Sequence, residues 1–150
     1  MRTTLLLLGS ALLASASIEA HHSFAHFEEG WSELEGTLVD LRWRNPHIYF
    51  FLETEEADGE KKVWEMETGT IYMIGRAGVT RDMFEIGDTI RVAGHKSRVY
   101  PAAFHLKNVL LPDGREVVTV ADSPPRWSDE VTGGRNQWRN VALHASDEPG

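Results

Sequence analysis

The sequence predicts an all-β protein with one short helix, folded as a small OB-like β-barrel of five to six strands with the helix between strands three and four. Three observations carry this expectation. Short β-favouring runs are divided by Gly, Pro and Asp-Gly turn signals. The first run is long and changes the parity of its apolar positions midway. A single capped helical stretch interrupts the series of strands, which an immunoglobulin-like sandwich would lack.

The elements follow in order. Across residues 32–43 the apolar positions run Leu34, Gly36, Leu38 and then Val39, Leu41, Trp43, which reads as a long strand with a bulge or bend. Asn45-Pro46 turns the chain, since Pro46 lacks a donor and holds Asn45 extended, and the aromatic run 47–52 makes a second strand. Asp58-Gly59 is a hairpin signal leading into residues 62–68, where Trp64 and Met66 alternate with Glu65 and Glu67 in a half-buried third strand. Thr70 is placed to cap a short helix carrying Ile71, Met73 and Ile74, and Gly78 to stop it. Gly87-Asp88 precedes a fourth strand at 89–94. Residues 103–111 form a fifth, with Phe104, Leu106 and Leu110 on one face. Pro112-Asp113-Gly114 turns into a sixth at 117–120.

The domain layout has three parts: a signal peptide at 1–20, the barrel at 21–120 and an irregular C-terminal tail at 121–150. Arg2 supplies a positive start, residues 5–13 are apolar, and 15–20 are rich in small residues, the pattern of an export signal. Cleavage after Ala16 or after Ala20 satisfies the small-residue rule, and only the second leaves His21 as the first residue. The expected location is therefore periplasmic or secreted. No stretch approaches the roughly 20 apolar residues of a spanning helix. In the tail, Trp127 and Trp138 with Arg126, Arg135 and Arg139 either pack back over the barrel or present a docking segment.

Composition narrows the function classes. A formal net charge of −8 argues against general affinity for nucleic acid or anionic lipid. The absence of cysteine removes disulfide redox work and a cysteine lipid anchor. Nucleophile elbow, H-E-x-x-H helix and glycine-rich phosphate loop are all missing, so a binding protein is expected rather than an enzyme. The remaining partner classes are a metal ion, a small ligand or another protein of the envelope.

Two constellations carry candidate chemistry. His21 and His22, with help from His47, form a potential transition-metal site. An N-terminal histidine offers its amine and ring in one chelate, which copper(II) favours, so copper is the expected cofactor. The structural alternative makes the pair a leader pinned to the barrel by Phe24 and Phe27, with His47 a turn residue. The second constellation is Trp64, Glu67 and Arg76, an aromatic face, a carboxylate and a guanidinium able to clasp a small polar molecule. Its structural alternative is a core Trp64 and a Glu67–Arg76 ion pair.

The series His21-His22-Ser23-Phe24, Gly36-Thr37, Trp43, Asn45-Pro46-His47, Trp64-Glu65-Met66-Glu67, Arg76-Ala77-Gly78 and Gly87-Asp88 resembles a family of exported bacterial proteins known only as a domain of unknown function. The likeness runs from the signal to about residue 114 and departs from the family pattern at His95-Lys96-Ser97-Arg98. It implies export and supplies no reaction. Together these readings give an exported, non-catalytic binding protein that takes copper through its N-terminal histidine pair. The competing expectation is an adaptor that docks an envelope protein through the barrel groove and the C-terminal tail.

Overall fold

A computed structural model describes residues 26–135. In chain order the elements are β1 (Ser32–Arg42), β2 (Tyr49–Glu55), β3 (Lys61–Glu67), α1 (Ile71–Arg76), β4 (Thr89–Lys96), β5 (Ala103–Leu110), β6 (Glu116–Val118) and β7 (Val131–Gly133), with a 3-10 turn at Arg81–Met83. The first five strands lie in the order β3-β2-β1-β4-β5, and a parallel pairing of β3 with β5 closes them into a barrel. This cyclic order, with the helix between β3 and β4, is that of an OB barrel. β6 and β7 extend the sheet beyond the closed ring.

β1 serves two neighbours and must bend to do so. Its first half pairs with β4 and its second half with β2, and the register slips between Leu38 and Asp40. Val39 is the extra residue: it faces outward, and inward orientation resumes at Leu41. Gly36 lies where β1 crosses closest to β2, and a Cβ there would collide with the Glu53 carbonyl. Gly94 on β4 meets the His105 carbonyl in the same way.

The barrel interior is filled by alternate residues of the strands, among them Leu38, Phe50, Leu52, Met66, Ile90, Val92, Phe104 and Leu106. Phe50 meets Phe84 edge-on at 4.9 Å between centroids. Burying a side chain of this size contributes about 1.5–3 kcal/mol. Thr70 caps α1 by accepting the Met73 N–H at 3.1 Å, and Gly78, at φ +78°, ends the helical segment while Ile74 reaches into the core. Cap and stop fall where the sequence predicts them, whereas of the three apolar residues expected on the helix only Ile74 is buried and Met73 is exposed.

Residues 121–135 depart from the irregular tail expected of them. β7 pairs in parallel with β6, and the loop joining the two is organised by one carboxylate. Glu116 is fully buried and accepts hydrogen bonds from Asn108 Nδ2 (2.7 Å) and from the backbone N–H groups of Arg126, Trp127 and Ser128 (2.8–3.1 Å). The Arg126 guanidinium lies over Trp31 at 4.5 Å and reaches Glu33 Oε1 at 2.9 Å. A three-residue strand has too little periodicity to be read from sequence, and the lone acid that organises its approach looks like any surface glutamate. Residues 136–150 of the predicted tail, with Trp138 and Arg139, and the predicted signal peptide at 1–20 lie outside the described residues.

Every group around the Glu116 carboxylate is a donor, so a neutral amide in its place would turn its own donors toward other donors. Glu116→Gln is expected to cost about 3 kcal/mol and to lower the melting temperature by on the order of 10 °C. Thermal denaturation at pH 7 checks this. A change smaller than about 0.5 kcal/mol, the range of an ordinary surface substitution, contradicts it.

Candidate functional site

Strand alternation that sends Met66 and Phe104 inward sends Glu67 and His105 outward. Three registers then align their neighbours: Tyr49 pairs with Glu67, Glu67 with His105 across the parallel closure, and His105 with His95. One row of polar rings and a carboxylate therefore crosses four strands on the outside of the barrel. His47, after the cis Asn45-Pro46 turn, joins it through a contact from Nδ1 to Glu67 Oε1.

The electrostatics follow from partial burial. Tyr49 has its pKa raised, first by loss of water and then by the carboxylates of Glu67 and Glu65, with its hydroxyl hydrogen-bonded to Glu67. His105 is pushed down to about 4, by burial first and then by electrostatic interaction with Lys107 and with the neighbouring imidazoles of His95 and His47. It is a neutral imidazole at physiological pH.

Residues 26–31 continue the path of β1 along the end of β4. Phe27 bridges to Ser97, Glu28 N–H donates to the Lys96 carbonyl at 2.9 Å, and Arg98 N–H donates to the His26 carbonyl at 2.7 Å. The Phe27 ring lies 5.3 Å from the His105 ring, and Trp31 lies 4.9 Å from His95, whose ring is 6.3 Å from that of His105. His95 Nδ1 also meets the Gly30 carbonyl at 3.1 Å. The chain thus comes onto the barrel directly over the imidazoles. Phe27 holds it there, while Phe24, the other residue given this part in the structural reading, lies outside the described residues.

His21 and His22 lie outside the described residues. Five residue steps separate His22 from Phe27, a chain span of at most about 18 Å. Among the described residues no group of three or more histidine or acidic side chains is arranged to hold a metal ion.

The other constellation comes apart. Trp64 and Glu67 are three residues apart on one strand and so face opposite sides of the barrel wall. The Trp64 indole is in the core, donating from Nε1 to Thr54 Oγ1 at 3.1 Å, with the Lys62 ammonium 4.1 Å from its ring centre. Glu67 is engaged by His47. The Arg76 guanidinium donates to the Tyr72 hydroxyl at 2.7 Å. These three side chains do not form one clasp, and strand parity alone is enough to separate the first two.

Sequence reasoning missed Tyr49 and His105, and it noted His95 without linking it to His47 or Glu67. Alternation signals that His105 points away from Phe104, but its partner depends on the parallel register of β3 with β5, which no local pattern encodes. Beside His105 a shallow cleft of about 290 Å³ runs between Met73 of α1, Lys107 and Val120–Asp122. Among the described residues no helix is long and apolar enough to cross a membrane.

The lowered His105 pKa has a direct consequence for stability. An unfolded histidine takes up its proton near pH 6.5 and the folded one near 4, so between these values the unfolded chain binds more protons. The contribution of the neutral ring is complete above about pH 6.5 and is lost as pH falls toward 4, amounting to about 2 kcal/mol between pH 7 and pH 5. His105→Gln is expected to flatten that part of the urea-stability profile, and the His105 ring resonances to titrate near 4. A midpoint near the ordinary value of about 6.5 contradicts this.

A family model described as a family of unknown function, DUF6152, matches residues 10–103. The matched span contains His21, His22, His47 and Glu67 and ends at the first residue of β5. No curated protein and no solved structure matches the chain. With well over half of its length covered by the family model, the chain belongs to the DUF6152 family of unknown function.

Proposed function

We propose that this protein is an exported, non-catalytic binding protein that takes a transition metal ion, copper above all, through His21 and His22 with His47 completing the set. The observation that carries the reading is the docking of residues 26–31. Phe27 packs on His105 and the backbone of this segment is tied to β4, so the chain reaches a face lined with imidazoles five residues after His22. His47 in that face is held by a carboxylate, the usual outer partner of a metal-ligating histidine.

The donor chemistry suits copper. When the leader is removed after Ala20, His21 brings an amine and an imidazole in one chelate, and further imidazoles extend an all-nitrogen set of the kind copper(II) favours. The adaptor reading has less to rest on, because residues 121–135 are engaged with the barrel's own Glu116, Trp31 and β6.

The test is calorimetric titration of the mature protein, beginning at His21, with copper(II) in a weakly coordinating buffer. One ion per chain is expected, with at least a tenfold loss of affinity, about 1.4 kcal/mol, in His22→Ala and in a form carrying one extra residue before His21. Equal binding by all three, or no binding by the mature protein, contradicts the proposal.

A further inference from the structure

Glu67 has the position of a residue that acts through its neighbour. It is the last residue of β3, turned outward by alternation and flanked by Tyr49 on β2 and His105 on β5. Its carboxylate receives the His47 Nδ1 contact on one side and the Tyr49 hydroxyl on the other. An ionised carboxylate only accepts hydrogen bonds, so the Nδ1 facing it must carry the proton. That sets the neutral tautomer of His47, in which Nε2 carries the ring lone pair.

We propose that Glu67 is a positioning residue that orients His47 and fixes its tautomer, with Tyr49 holding the carboxylate in place. The proposal rests on the metal reading above for its consequence and on the His47–Glu67–Tyr49 contacts for its geometry. A simple exposed ion pair would need neither the second hydrogen bond nor the cover: the His47 and Glu67 side chains are only 19% and 35% exposed. The partly dry setting strengthens the hydrogen bond and makes the imidazole a better donor to a cation. Glu67 thus acts one shell outside the ion, in place of the direct ligand contact expected from its nearness in sequence to Trp64.

The test compares wild type, Glu67→Ala, Glu67→Gln and Tyr49→Phe, each checked for an intact amide spectrum. Nitrogen-detected ring spectra of the metal-free proteins at about pH 8, where free imidazole is neutral, read the tautomer. Wild-type His47 is expected to carry its proton on Nδ1, and Glu67→Ala to lose that preference. Copper(II) affinity is expected to fall about 10- to 100-fold in Glu67→Ala at unchanged stoichiometry, with Glu67→Gln intermediate because its amide oxygen still accepts. Tyr49→Phe keeps the His47 contact and is expected to show a smaller loss. An unchanged tautomer with affinity within about twofold of wild type in Glu67→Ala, below the range for loss of an outer-shell partner, overturns the proposal. If the wild-type protein takes no copper, the metal reading fails while the tautomer comparison still decides the role of Glu67.

Discussion

Closure of the barrel by β3 and β5 is the constraint on which the other features depend. Three register pairs join these strands, Glu65 with Ala103, Met66 with Phe104 and Glu67 with His105. The middle pair seals the core, while the Glu67–His105 pair places a carboxylate beside an imidazole outside. The Glu65 N–H donates to the Ala102 carbonyl at 2.8 Å, extending the seam into a turn where Ala102 adopts φ +60°. A one-residue slip along this seam would exchange the faces, turning Glu67 inward and Met66 out to solvent. Register therefore sets both the packing of the barrel and the chemistry on its surface.

Two segments outside the ring consolidate this arrangement by different means. Residues 26–31 are held by backbone bonds to β4 and by tilted ring contacts of Phe27 and Trp31 with histidines. The segment leading to β7 is held by a buried carboxylate receiving backbone donors, a polar arrangement that is stable only because the donors are satisfied together. Trp31 links the two, since Arg126 from the second segment lies over its ring while His95 packs against it. The start and the end of the described chain thus brace the same side of the barrel.

Much of the fold was legible because it is written in local patterns. The parity change in β1, the Thr70 cap, the Gly78 stop and the alternation of Trp64 and Met66 each depend on neighbouring residues. The site was legible only in fragments. His47 stood out beside Asn45-Pro46, but its partner Glu67 is 20 positions away and comes to it through the pairing of β2 with β3. His105 joins through a parallel pairing that local signals do not contain. Grouping Glu67 with Trp64 followed nearness in sequence, which on a strand is a poor guide to a shared face. Glu116 gave no sign of its role, because all of its partners but the Asn108 amide are backbone groups, which carry no side-chain signature.

The central claim is that the N-terminal pair and the barrel hold one ion in common. Pulsed electron paramagnetic resonance of copper(II) on the mature protein, compared with His47→Ala, tests this most directly by counting coordinated imidazoles. The account predicts that His47→Ala removes one imidazole from the wild-type set while the N-terminal chelate remains. Identical spectra from the two proteins would place the ion on the leader alone and contradict the shared site.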